Sequence, residues 1–340
     1  MKIFILKPSS LGDVIQALPV LRSLKAHLPA SSIYWWIDSH LAPLLEGDPD
    51  LAGLVRFDRR RWAAPRNWGE LWRSLQWTRA QAFDWVIDLQ CLARSGAFAW
   101  LTNGQLTVGL DEPREGARGF YDLIARRQSF HTHAVDWYLE VLPLLGVPAN
   151  RTRAWLPARP AVADGLREKW PVSRGPWVAL VPGARWLNKR WPAEYFAELL
   201  RQLSAKQPDL NFAVLGGEED AHLGRAIAGA VPARCLDLTG KLSLPEMIEW
   251  IRLCRLLVTN DTGPMHVAAA LATPVVALFG PTEPTRTGPY GQIDQVLQTR
   301  LECVPCLKSR CTYFKPMECL HALSPATVLA AVERRLARPS

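Results

Sequence analysis

A chain of 340 residues is long for one domain and sufficient for two of about 150 residues each. Apolar residues make up 49% and charged residues 21%, the profile of a core-forming protein, and no run approaches the ~20 apolar residues that cross a bilayer. The net charge of +8 favours anionic partners such as phosphates, acidic membranes or nucleic acid, while an odd seven cysteines do not suggest a secreted disulfide framework.

Ile3-Phe4-Ile5-Leu6 reads as a buried parallel strand, too short for the apolar core of a signal peptide and with no small-residue cleavage site after it. A cytoplasmic location is therefore expected. The turn Ser9-Ser10-Leu11-Gly12-Asp13 follows, exposing backbone N–H groups at the strand's C-terminal end. Asp13 there is either a first-turn acid of a helix or a functional carboxylate. Gly-x-Gly-x-x-Gly, the dinucleotide fingerprint, is absent from this turn. Val14, Leu18, Leu21, Leu24 and Leu28 form a helix face, with a kink or restart expected at Pro19. Strand-like runs recur at 33–37 and 85–89. Between them lies Arg56-Phe57-Asp58-Arg59-Arg60-Arg61-Trp62, continued by Arg66, Trp68, Trp72, Arg73, Trp77 and Arg79. Interleaved Arg and Trp suit an anionic membrane interface or a phosphorylated lipid acceptor. They equally suit single-stranded nucleic acid, or a Trp-rich helix packed on its own domain.

The Pro- and Ala-rich stretch 157–176 is the best boundary. We expect domains at 1–160 and 175–320, with a C-terminal helix over 321–340. In the second half, Trp177–Val181 is a strand closed by Pro182 and Gly183. Its loop carries Arg185, Lys189 and Arg190 into a helix that opens at Trp191-Pro192, a cationic arrangement suited to a diphosphate or simply a solvated basic loop. The strand 211–215 ends in Gly216-Gly217, followed by Glu218, Glu219 and Asp220. One of these acids would take a ribose diol, and spacing does not say which. The strand 256–259 leads into Asn260-Asp261-Thr262-Gly263-Pro264-Met265-His266 and a small-residue helix. Here Thr262 and Gly263 can approach a phosphate or ribose, and Asp261 a sugar hydroxyl. The strand 274–279 ends in Gly280-Pro281-Thr282-Glu283-Pro284. Alternating strands and helices mean an α/β chain of two doubly wound, Rossmann-like domains, with ligands at the strand C-terminal edges facing a central cleft. Cys303 and Cys306, a Cys-x2-Cys pair with Cys311 and Cys319 nearby, have the character of structural Zn or Fe ligands, although the last two gaps fit no common finger, and reduced thiols or opportunistic disulfides are the alternative.

Taken together, these motifs resemble glycosyltransferase family 9, the bacterial lipopolysaccharide heptosyltransferases. Lys7 to Ile15 with Ala17-Leu18-Pro19 is similar to the family's first loop. Lys189-Arg190-Trp191-Pro192 and Asp261 to Ala270 are similar to its donor-side motifs. Phe83 to Gln90 and His133-Ala134-Val135-Asp136 resemble the first-heptose branch. Two departures stand out: Ala184-Arg185 occupies the place where some members of that branch have two Thr, and the cysteine cluster occurs in only some relatives.

The resemblance implies a GT-B architecture, an ADP-heptose donor, inversion at the anomeric carbon and no cofactor required for catalysis. It makes Asp13 the general base and Lys189 the neutraliser of departing ADP. Asp261, Thr262, Gly263 and His266 become donor-site residues, with Ser9, Ser10, Gly12, Gly183, Arg185, Arg190, Glu218 and Glu219 beside them. The acceptor implied is the Kdo of an anionic, lipid-linked lipopolysaccharide precursor. Arg59, Arg60, Arg61 and Trp62 would face it and an acidic membrane surface, placing the protein peripherally on the inner face of the inner membrane. An existing heptose, a protein hydroxyl, or sugar-nucleotide binding without catalysis are the alternatives. No nucleic-acid partner is expected.

Overall fold

The computed structural model describes residues 1–62, 64–112, 114–151 and 155–337, with the side chains of Arg59, Arg60 and Arg114 outside that description. Two units result, Met1–Trp155 and Leu156–Ser340, each around one parallel six-stranded sheet.

In the first unit the strands are β1 (Lys2–Leu6), β2 (Ser32–Asp38), β3 (Gly53–Phe57), β4 (Trp85–Asp88), β5 (Leu106–Leu110) and β6 (Leu123–Ala125), in the order β3-β2-β1-β4-β5-β6. Ile3 to Leu6 are wholly buried because helices cover both faces of this central strand, so the apolar run is continuous rather than alternating. The helix Leu11–His27 follows β1 and buries Val14, Leu18, Leu21 and Leu24. Pro19 lies inside this helix, which continues through it, so of the kink or restart expected from sequence the restart does not occur. Proline removes one hydrogen bond, and the fully buried apolar side chains on either side of it hold the helix together.

The second unit repeats the plan with β7 (Trp177–Val181), β8 (Asn211–Val214), β9 (Cys235–Asp237), β10 (Leu256–Asn260), β11 (Val275–Phe279) and β12 (Val296–Gln298), ordered β12-β11-β10-β7-β8-β9. The helix Pro160–Lys169 belongs to this unit, where Arg159 N–H donates to Glu249 (3.2 Å) and Arg252 to the Leu156 and Pro157 carbonyls (3.2 and 3.0 Å). The helix Pro325–Leu336 buries Val328, Leu329, Val332 and Leu336 in the core of the same unit.

Both strand orders reverse direction at one place, between β1 and β4 and between β7 and β10. In doubly wound sheets the loops diverge there and leave a crevice at the strand C-terminal ends. The segments that follow these four strands begin at Lys7, Leu89, Pro182 and Asp261, and those at Lys7, Pro182 and Asp261 carry the motifs singled out from sequence. Among the described residues no helix is long and apolar enough to cross a membrane.

Candidate active site

At the switch point of the first unit, Ser10 caps the helix Leu11–His27 and Asp13 occupies its third position. Ser10 N–H and Oγ both donate to Asp13 Oδ2, at 3.0 and 2.6 Å. Asp13 is thus a helix-capping acid, and its carboxylate stays half-buried at the sheet edge rather than sealed into the core. Ser9 lies beside it half-buried, and Gly12 is buried. Beneath this turn Lys7 is buried and donates to the Leu89 carbonyl (3.0 Å), tying the loop after β1 to the loop after β4, with its ammonium 5.0 Å from the Tyr138 ring centre. Burial opposes the Lys7 charge, but the neighbouring Tyr138 and Asp13 outweigh it and hold its pKa above the ordinary lysine value.

Asp88 closes β4 at the same edge. Its Oδ1 accepts from Gln90 and Cys91 N–H (2.8 and 3.1 Å), and Oδ2 from the Tyr121 hydroxyl (2.8 Å). Burial pushes this carboxyl above the usual range, the three donors opposing it only in part. The folded state therefore holds the Asp88 proton more tightly than the unfolded chain. Its contribution is fully present below the unfolded pKa and is lost as pH rises through the folded one. We expect the stability of wild type relative to Asp88→Asn to improve as pH is lowered from 7 toward 4, checked by urea unfolding of both proteins across that range.

In the second unit the switch point holds two linked clusters. Lys189 Nζ lies 2.6 Å from Asp261 Oδ2, which also accepts from Thr282 Oγ1 at 2.6 Å. The ammonium stands 4.7 Å from the Trp186 ring centre. Asn260, fully buried, ties the two loops together by donating to the Pro182 carbonyl (2.7 Å) and accepting from Trp191 N–H (3.1 Å). Thr262 caps the helix Gly263–Ala270, placing Gly263 at its N-terminus and His266, buried, one turn in. Pro192 is the cap residue of the helix Ala193–Lys206.

The second cluster surrounds Asp220. Arg190 donates to the Ala184 carbonyl (2.8 Å) and stands 3.6 Å from Asp220 Oδ1. Burial raises the Asp220 pKa, with Arg190 pulling the other way. A Cβ on Gly183 would lie 2.0 Å from Asp220 Oδ2, so the loop after β7 runs against this carboxylate. Gly183→Ala must displace Asp220, an overpacking that costs about 1–3 kcal/mol. We expect it to lower stability by that amount, read by urea unfolding of both proteins.

Of the three consecutive acids, Asp220 alone is buried, whereas Glu218 and Glu219 are exposed on the turn and the Glu219 carboxylate folds over Gly217. Arg185 is exposed. Asp220, Asn260 and Thr282 are the contributors that sequence reasoning did not single out. All three lay inside quoted motifs, and only the folded turns distinguish them from their neighbours. On the Arg- and Trp-rich stretch, Arg61 pairs with Glu70 and Trp62 packs edge-on against Phe57 at 5.1 Å, while the Arg59 and Arg60 side chains lie outside the described residues.

The cysteine expectation needs correction. Among the described residues no group of three or more His, Cys, Asp or Glu is arranged to hold a metal ion. Cys319 is buried, with its Sγ against Gly280, and burial, with Cys311, Cys303 and Cys306 adding to it, pushes its thiol up to about 11. Cys311 Sγ instead accepts from Met317 N–H at 3.3 Å.

Three comparisons bear on this arrangement. The sequence profile described as Glycosyltransferase family 9 (heptosyltransferase) matches residues 68–316. Lipopolysaccharide heptosyltransferase 1 of Pseudomonas aeruginosa is 31% identical, covering 100% of this chain and 99% of the relative. Lipooligosaccharide heptosyltransferase 2 of Campylobacter jejuni is 25% identical, covering 98% and 99%. Among solved structures, the E. coli heptosyltransferase WaaC with ADP superposes with a TM-score of 0.80 at 23% identity, covering 98% of this chain and 100% of that one. Each unit therefore has the doubly wound build expected of the GT-B class.

Proposed function

The chain belongs to glycosyltransferase family 9, and from that membership we propose that it transfers heptose from ADP-heptose to the Kdo of an inner-core lipopolysaccharide precursor. Heptosyl transfer in lipopolysaccharide core synthesis is the property of the family. The choice of acceptor is supported chiefly by the full-length 31% identity to a heptosyltransferase 1.

In this reading the first unit binds the acceptor and the second the donor. The acceptor hydroxyl loses its proton to Asp13 as its oxygen bonds to the anomeric carbon and the bond to the β-phosphate breaks, inverting that centre. Lys189 and Arg190 neutralise the charge gathering on departing ADP, so the chain's own cations supply that electrostatic role. Asp261, Thr262, Gly263 and His266 line the donor site, with Ser9, Ser10, Gly12, Gly183, Arg185, Glu218 and Glu219 contributing contacts. Peripheral association at the inner face of the inner membrane, through the Arg- and Trp-rich stretch, accompanies a lipid-linked acceptor.

The similarity to a heptosyltransferase 2 favours one second reading, in which the acceptor is an existing heptose. Mass spectrometry of products from Kdo-terminated and heptose-terminated precursors, each incubated with ADP-heptose, separates the two. Product from the Kdo-terminated precursor supports the proposal. Product from the heptose-terminated one alone moves the acceptor. Failure to bind any ADP-sugar overturns the reading.

A further inference from the structure

The helix Trp68–Ala80 presents Trp68, Leu71, Trp72 and Leu75 at positions i, i+3, i+4 and i+7, the stripe that a surface helix normally buries. Leu75 does reach the core, but Trp68 and Trp72 remain 59% and 57% exposed. They stand over a groove of about 880 Å³ whose floor is Trp36, Phe57 and Phe98. The floor is rigid, since Trp36 stacks on Phe98 at 4.7 Å and tilts against Phe57 at 4.6 Å. An open apolar concavity of this size on a surface marks a binding site rather than ordinary exposure.

Charge and position narrow the occupant. Residues 56–101 carry eight Arg and four acids, and one of those acids, Glu70, is taken by Arg61. Arg94 lines the apolar groove itself, and a polar pocket of about 500 Å³, lined by His40, Asp58, Arg61, Arg66 and Asn67, lies near it, Arg61 of the pocket being next in the chain to Trp62 of the groove. An excess of arginine around an apolar groove is complementary to a molecule with an anionic head and a hydrocarbon tail. A two-fold copy of the chain would instead set these arginines against their own equivalents. A flat bilayer surface does not fill a concavity. Trp36 and Phe57 stand at the C-terminal ends of β2 and β3, so the groove opens at the same edge of the sheet as Asp13.

We propose that this groove seats an acyl chain of the glycolipid acceptor, so that the enzyme reads the acceptor's lipid as well as its sugar. The proposal rests on the acceptor being lipid-linked, as argued above. The probes are two versions of the Kdo-terminated acceptor, one bearing octanoyl chains and monomeric in water, the other fully deacylated. Wild type is expected to show a KM lower for the octanoylated compound by on the order of tenfold to a hundredfold, given the surface that a buried chain removes from water. Ala97→Trp fills the groove and Trp72→Glu makes its wall polar, and each should bring the ratio of the two KM values toward one. Because Trp72 lies on the surface, that variant keeps the test valid if Ala97→Trp fails to fold.

Equal KM values for wild type overturn the proposal. So does an acyl preference that survives both substitutions, one that appears only when vesicles are added, or a dimer that Trp72→Glu dissociates without any acyl preference. If neither compound is turned over, the acceptor reading has failed, and equilibrium dialysis of the same two compounds decides the groove separately. Acyl-dependent binding lost in Ala97→Trp supports it, and acyl-independent binding overturns it.

Discussion

Asp13→Asn is expected to lower kcat for heptosyl transfer by about 10²–10⁴-fold while leaving the Kd for ADP-heptose within about threefold of wild type. The amide keeps the size of the carboxylate and can still accept from Ser10 N–H, so the start of the helix Leu11–His27 is preserved. What it cannot do is take a proton from an acceptor hydroxyl. The competing account is that Asp13 only caps the helix, since Ser10 donates to it twice. Ser10→Ala separates the two. It removes the hydroxyl's part of the cap, worth about 0.5–2 kcal/mol, and leaves the carboxylate in place. If Asp13 is the base, Ser10→Ala lowers thermal stability and keeps most of kcat at saturating ADP-heptose, whereas Asp13→Asn does the reverse. If the two variants lose turnover in proportion to lost stability, Asp13 is a structural residue and the base must be sought elsewhere.

The sequence announced its central strands because parallel strands buried on both faces must be continuously apolar, as Trp177–Val181 and Leu256–Val258 are. The outer strands escaped notice for the complementary reason. β6, β9 and β12 have three residues each and lie toward the sheet margins, where neither length nor burial imposes a pattern. The loops at the switch points were legible because a strand, a turn of small and polar residues and a helix in that order fix which end of the sheet a loop occupies. What such a pattern cannot carry is rotation within a turn. Glu218, Glu219 and Asp220 are adjacent acids, and only the turn they form decides that Asp220 goes inward under Gly183. The cysteines fail in the same way. Cys303 and Cys306 have metal-ligand spacing with two more thiols nearby, but among the described residues the folded chain makes no metal-holding group of them, and Cys319 lies buried on the short helix Glu318–His321.

Lys189→Met is expected to cost about 10²–10³-fold in kcat, and also to destabilise the second unit, because it leaves Asp261 buried without its cation. Activity alone is therefore ambiguous. The double variant Lys189→Met/Asp261→Asn resolves it. Replacing both charges removes the uncompensated carboxylate, and the amide oxygen that takes its place can still accept from Thr282, so stability should return close to wild type. If Lys189 serves only to balance Asp261, turnover returns with stability. If Lys189 acts on the diphosphate, turnover stays below that of Asp261→Asn alone in a protein that melts normally, and kcat falls more than the affinity for ADP-heptose. Lys189→Arg then sharpens the point. A guanidinium keeps the charge but spreads it over a planar fork, and the ammonium's position 2.6 Å from Asp261 and over the Trp186 ring suits a compact cation. Partial recovery with arginine, absent with methionine, identifies charge near the leaving group as the quantity that matters. Full activity in Lys189→Met would remove this residue from the mechanism and leave Arg190 to carry the neutralisation.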